Sequence, residues 1–130
     1  MVVLALTMVN SWDSDGHYGH SRVTILRSNN FYNNVYSKNN DYVWLVLFYD
    51  LYCGHCQDFS PIYKEVANLL EGFVEVGAVE CGGRENSDLK QDFDIQRFPA
   101  MRLFKGGKPM IIEGITANNI VSEVRRALGY

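Results

Sequence analysis

Apolar positions along the chain follow two periods, and the switch between them marks its elements. "DYVWLVLFYD" (41–50) is a continuous apolar run of β-branched and aromatic residues. Such a run predicts a strand buried on both faces of a parallel or mixed sheet. "RVTIL" (22–26), "FVEVGAVEC" (73–81), "PAMRLFK" (99–105) and "PMIIE" (109–113) predict further strands, the last two joined by a hairpin turn at Gly106-Gly107. From about Cys53 to Leu70 the spacing becomes helical: Phe59, Ile62, Tyr63, Val66, Leu69 and Leu70 share a face. Pro61 lies inside that segment and predicts a kink. Ser28 is placed to cap a short helix through about Tyr36, with Phe31 and Val35 on one face, although the Asn-rich 29–40 weakens it. "NSDLKQDF" (86–93) suits another short helix, capped by Asn86 or Ser87. "TANNIVSEVRRAL" (116–128) reads as an amphipathic helix with Ile120, Val121, Val124 and Leu128 inward. Arg125 and Arg126 complement its C-terminal dipole end, and Gly129 stops it. The order β-α-β-α-β-α-β-β-α predicts an α/β fold, a mixed central sheet with helices on both faces.

Length and composition narrow this little. The chain has 130 residues and is 47% hydrophobic, enough for one domain with a core that needs no disulfide framework or structural metal. Residues 22–130 are read as that domain, and residues 1–21 as an N-terminal extension or linker. "MVVLALTMV" (1–9) is close to the length of a signal-peptide apolar region, but lacks preceding positive charges and a clear cleavage site. The other readings are an extra strand, a hydrophobic arm packed on the domain, or a stub of a longer protein. "NSWDSDGHYGHS" (10–21) reads as a polar linker, in which His17 and His20 form only a weak metal pair. Net charge is −3 with no basic block, so nucleic acid is not an expected partner. No apolar run approaches a membrane span.

The chemistry centres on "YCGHCQDFSP" (52–61). Cys53 and Cys56 are two residues apart at the expected start of a helix. Unpaired backbone N–H groups there stabilise a thiolate at the first position. The second lies one turn in, within disulfide reach yet shielded, so the first attacks and the second resolves. Gly54 and His55 lie between them, and His55 is a candidate cation that favours thiolate over disulfide. Two rival readings compete. A zinc site needs two more ligands, for which only Cys81 and His55 offer themselves. A purely structural bridge would close too short a loop to constrain the unfolded chain.

The segment "YCGHCQDFSPIY", continued by "VGAVEC", "DFDIQRFPAMRLFKGGK" and the last helix, resembles protein disulfide isomerase domains of the thioredoxin superfamily over roughly residues 22–128. The resemblance implies a thioredoxin fold, thiol–disulfide exchange and unfolded secretory proteins as substrates. It implies a cis Phe98–Pro99 bond that presents backbone to a substrate strand. Pro99 with Phe98 is expected to position the substrate strand. Tyr52 and Phe98 flank the site as an apolar rim for unfolded chains, and Arg97, where the family often has Gly, restores positive potential near Pro99. Tyr52, Phe98, Pro99 and Arg97 are therefore the candidate substrate-binding residues. No metal or organic cofactor is implied.

Departures from the family pattern are equally specific. A buried Glu six residues before the first cysteine is replaced by Leu47, in "LVLFY". The mobile Arg after the last strand falls near Thr116. The residues before Cys53 are Asp50-Leu51-Tyr52, and Gln57-Asp58 follow Cys56. Positive charge is lost and carboxylates gained, both of which raise a thiol pKa. Cys81 has Asp88 where some relatives carry a pairing cysteine, so it reads as a buried apolar thiol. Trp44, Phe48 and Phe104 read as core.

The expected function is a thiol–disulfide oxidoreductase and isomerase in the endoplasmic reticulum lumen or secretory pathway. Its partners would be unfolded or disulfide-containing proteins and a redox partner such as glutathione or an oxidase. Two alternatives stay open: a client-binding thioredoxin-like module with weak turnover, and a cytosolic thioredoxin-type reductase.

Overall fold

A computed structural model describes residues 16–37 and 42–130. The apolar segment 1–9, read as a candidate targeting remnant, lies outside the described residues.

Five strands form one sheet: β1 (Thr24–Leu26), β2 (Trp44–Tyr49), β3 (Glu75–Glu80), β4 (Ala100–Phe104) and β5 (Met110–Ile112). Their order across the sheet is β1-β3-β2-β4-β5. β3 runs parallel to both β1 and β2, whereas β4 is antiparallel to β2 and β5. The helices are α1 (Phe31–Val35), α2 (Gly54–Leu69), α3 (Ser87–Asp92) and α4 (Ala117–Ala127). Element order and the mixed sheet agree with the reading of the sequence.

All six residues of β2 are buried, which is what its unbroken apolar run requires at the centre of a sheet covered on both faces. Strand alternation then divides two cores. Leu45, Leu47 and Tyr49 pack with Cys56, Phe59, Tyr63 and Val66 of α2 and with Ile120 and Val124 of α4. Trp44, Val46 and Phe48 pack on the other face with Phe31, Val35, Leu89 and Phe104. Trp44, Phe48 and Phe104 are therefore core, as expected.

Helix boundaries show where local polar chemistry competes with pattern. Ser28 does not cap α1. Asn30 holds the N-cap position, and its Oδ1 accepts from Arg27 N at 2.7 Å. Ser28 instead faces the start of α3, where its N–H donates to Asn86 Oδ1 at 2.9 Å and its hydroxyl contacts Asp88. Asn86, at the N-cap of α3, is 4% exposed; its Nδ2 donates to Glu80 O at 2.8 Å. It ties β1, β3 and α3 together rather than capping with its side chain. α2 runs continuously through Pro61, and Leu69 is 48% exposed although its spacing placed it inward. Thr116 caps α4, its Oγ1 accepting from Asn119 N at 3.2 Å. Gly106 and Gly107 both take positive φ in the β4–β5 turn.

The stretch read as a polar linker is in part structured. Gly16–Tyr18 forms a 3-10 turn, and Tyr18 is 1% exposed within the α2-side core. A lone aromatic among polar residues carries no periodicity, so its burial could not be read from spacing.

Candidate active site

The site forms where β2 gives way to α2. Cys53 is the N-cap of α2, with φ −79° and ψ 124°, and its sulfur accepts from Cys56 N at 3.4 Å. The thiol thus faces the unpaired amides of a helix N-terminus, the arrangement that favours a thiolate. Cys53 is half-buried; Cys56, one turn in, is 1% exposed. Both are in the free thiol form, as is Cys81.

The loop that delivers Cys53 is held by side chains from other elements. Leu51 N donates to Glu80 Oε2 at 2.7 Å and Tyr52 N to Asp50 Oδ1 at 2.9 Å. The ring of His17 donates to Leu51 O at 3.0 Å, and Gln57 Nε2 reaches the same carbonyl at 3.3 Å. Gly82 lies against both carboxylates: a Cβ there would meet Asp50 Oδ1 at 2.6 Å and Glu80 Oε2 at 2.8 Å.

On the other side stands the Phe98–Pro99 loop, whose peptide bond is cis, as the resemblance implies. The Cys53 thiol lies 3.9 Å from Phe98 O. A cleft of about 600 Å³ opens beside it, lined in part by His55, Phe59, Arg97, Pro99, Ile111 and Ile115. The structure therefore gathers Cys53, Cys56, Phe98 and Pro99 at one point, with His55 and Arg97 on the cleft wall. His55 is exposed and makes no hydrogen bond to either sulfur among the described residues. Tyr52 is 86% exposed, a rim residue. Phe98 is half-buried, with Lys90 Nζ 5.6 Å from its ring centre. A side chain at Gly54 would meet nothing within 4 Å, so packing does not demand glycine there.

Burial pushes the Cys56 thiol up to about 12. The backbone N–H of Asp50 opposes this, while the Cys53 thiol and the Asp50 carboxylate add to it. Leu47, in the place of the family's Glu, is fully buried in the same apolar cluster as Cys56. Thr116, near the place of the family's Arg, is occupied in capping α4. Cys81 is 4% exposed, its thiol pushed up to about 12 chiefly by burial and then by Glu80. That is the buried apolar thiol expected of it. No group of three or more metal-ligating side chains occurs among the described residues. No helix among them is long and apolar enough to cross a membrane.

Three residues at the site escaped the sequence reading: His17, Tyr18 and Glu80. Glu80 ends a strand pattern and carries no motif. His17 was read only as half of a weak metal pair with His20 in a polar linker, and neither its spacing nor its polar neighbourhood pointed to the Leu51 carbonyl that it binds.

Comparison with known proteins agrees with this geometry. The thioredoxin family model matches residues 22–126. The chain is 35% identical over 95 residues to protein disulfide-isomerase like 2-2 of Arabidopsis thaliana, covering 72% of this chain and 20% of that protein. It is 33% identical over 99 residues to protein disulfide-isomerase MPD1 of Saccharomyces cerevisiae, covering 76% of this chain and 29% of that one. The first thioredoxin domain of mouse protein disulfide-isomerase A4 superposes with a TM-score of 0.71 at 29% identity, covering 82% of this chain and 75% of that one. The chain thus spans less than a third of the length of these two curated relatives.

Proposed function

The chain belongs to the thioredoxin family, and from that membership we propose that it is a thiol–disulfide oxidoreductase and isomerase acting on disulfide-containing protein chains. The observation that carries this reading is the half-buried Cys53 thiol at the N-terminus of α2, 3.9 Å from Phe98 O and one turn from the buried Cys56.

Cys53, as thiolate, attacks one sulfur of a substrate disulfide. A Cys53–substrate bond forms, the substrate S–S bond breaks, and the other substrate sulfur leaves as a thiolate that takes a proton. The mixed disulfide then has two fates. A second substrate thiol can attack and leave the substrate with a rearranged bridge, which is isomerisation. Alternatively Cys56 loses its proton and attacks Cys53, leaving an internal disulfide and a reduced substrate. Run backwards from the internal disulfide, the same steps oxidise a dithiol. Glutathione or an oxidase would reset the pair.

The cleft wall supports an extended client. Pro99 and the exposed Ile115 line it, Arg97 and His55 give polar contacts, the Phe98 carbonyl lies beside the Cys53 thiol, and the exposed Tyr52 ring precedes Cys53 outside the cleft. Disulfide chemistry and the names of the relatives support the endoplasmic reticulum lumen or secretory pathway as the site of action. We assign the catalytic domain to residues 22–130 together with the Gly16–Ser21 segment that packs on it, and residues 1–15 to an extension.

A client-holding module with weak turnover is the second reading, favoured by the raised Cys56 thiol beside Leu47. One experiment separates activity from binding. Cys53→Ser should abolish reduction of insulin disulfides, and undiminished reduction would refute the assignment.

A further inference from the structure

The Leu51 peptide, two residues before Cys53, is held at both of its polar groups by side chains from other elements. Its N–H donates to Glu80 Oε2 at 2.7 Å, and its carbonyl accepts from the His17 ring at 3.0 Å. Glu80 ends β3 and stands opposite Tyr49, which ends β2. Its other oxygen, Oε1, accepts from Gly82 N at 2.9 Å, so both carboxylate oxygens bind backbone. Cys81 N donates to Tyr49 O at 2.7 Å and joins the two strand ends beside this contact. His17 belongs to the 3-10 turn Gly16–Tyr18, its ring centre 5.5 Å from that of Tyr49.

Other bonds shape the loop without anchoring it. Tyr52 N donates to Asp50 Oδ1 at 2.9 Å, and Cys53 N to Asp50 O at 3.1 Å. Gln57 Nε2, 3.3 Å from Leu51 O, belongs to α2, the helix that Cys53 itself caps, and so moves with it. Glu80 and His17 fix the loop against β3 and the N-terminal turn. Residue 82 is glycine for a reason of space: a Cβ there would come within 2.6 Å of Asp50 Oδ1 and 2.8 Å of Glu80 Oε2.

We infer that Glu80 and His17 are positioning residues for the nucleophile, a role that rests on the reading of Cys53 as the attacking thiol. They act through the Leu51 peptide. While that peptide is fixed, Cys53 stays at the cap of α2, its sulfur accepting from Cys56 N at 3.4 Å and lying 3.9 Å from Phe98 O. Freed from either side, the loop samples other backbone angles. The sulfur then spends less time facing both the helix amides that favour a thiolate and the Pro99 loop where a disulfide would lie.

The test uses the whole reduced chain and an excess of dithiobis(nitrobenzoate), followed by stopped-flow absorbance. The Cys53 thiolate attacks one dye sulfur, a Cys53–dye bond forms, the dye S–S bond breaks, and the other half leaves as the coloured thiolate. So small a disulfide reports on the nucleophile and not on client binding. Glu80→Ala, which releases two backbone amides, should slow this step about tenfold. Two variants of His17 separate hydrogen bonding from packing. His17→Phe keeps a ring against Tyr49 without the donor and should slow the step about threefold; His17→Gln keeps an N–H near the place of Nε2 without the ring and should restore the parent rate. Circular dichroism and urea unfolding first establish that each variant is folded. An unaltered rate in folded Glu80→Ala or His17→Phe overturns the proposal. So does the reverse pattern at position 17, in which His17→Phe keeps the parent rate and His17→Gln is slow. Should Glu80→Ala fold poorly, Gly82→Ala displaces both carboxylates while removing no polar group; it should slow the step, and no slowing refutes the role of Glu80. Cys53→Ser is the separate control. If it releases colour as fast as the parent, the reading of Cys53 as nucleophile fails, whatever Glu80 and His17 do.

Discussion

The Cys53 thiol is held 3.9 Å from the carbonyl oxygen of Phe98. The nucleophile and the backbone edge of the Pro99 loop therefore meet before any substrate arrives. A chain lying along that loop would bring its own sulfur to Cys53, and little reorganisation would be left for the chemical step.

The raised Cys56 thiol predicts a division between the two half-reactions. Attack by Cys53 draws on the helix N-terminus, whereas release needs a thiolate that burial disfavours. Mixed disulfides should therefore persist at neutral pH. Release should quicken by nearly tenfold per pH unit toward the Cys56 pKa of about 12, for as long as the domain stays folded. Stopped-flow measurement of both half-reactions against pH checks this; two parallel profiles would contradict it.

Leu47→Glu should shorten those lifetimes. The side chain faces the cluster that holds Cys56, so a carboxylate there can take the resolving proton. The same burial makes the change costly, about 3 kcal/mol or more if the charge stays unpaired. Chemical denaturation establishes that the variant is folded. Mixed-disulfide decay at neutral pH then decides the matter, and a folded variant that releases no faster refutes this account of the departure.

Strands, helices and their order were legible because each carries a period that burial on a sheet enforces. β2 is the plainest case, six apolar residues covered on both faces. Cys53, Cys56 and Pro99 were legible because their spacing and order match a family pattern. What stayed hidden was polar and local. Ser28 looked like a cap for α1, but its backbone and hydroxyl bind groups 58 to 60 residues away. Tyr18 looked like linker because a single buried ring has no pattern around it. Asp50 and Glu80 converge on Gly82 only after β2 and β3 pair, a relationship that no local window contains.

Asn86 should behave as a structural linchpin. Its side chain bonds Ser28 N and Glu80 O while 4% exposed. Asn86→Ala leaves both partners unpaired and should cost about 1–3 kcal/mol. Urea unfolding measures it; a loss below about 0.5 kcal/mol would mean that water replaces the amide.

Alkaline stability should depend on redox state. In the reduced domain Cys56 holds its proton up to about pH 12, above its ordinary value of 9.0. Between those values the unfolded chain binds fewer protons than the folded one, so stability falls as pH rises. Cys81 and the buried tyrosines act in the same direction. Cys56→Ser removes one contribution, so its stability should fall less steeply with alkaline pH than that of the reduced parent. Identical slopes in thermal unfolding would contradict the raised thiol.

The most direct measurement of the central claim is a redox titration of the Cys53–Cys56 pair against glutathione. Protein disulfide isomerase has a reduction potential of about −180 mV and thioredoxin one of about −270 mV, a difference of roughly 4 kcal/mol for two electrons. A reversible two-electron transition close to the first value is the predicted result. A pair that does not titrate reversibly, or one that titrates close to the second value, would contradict the account.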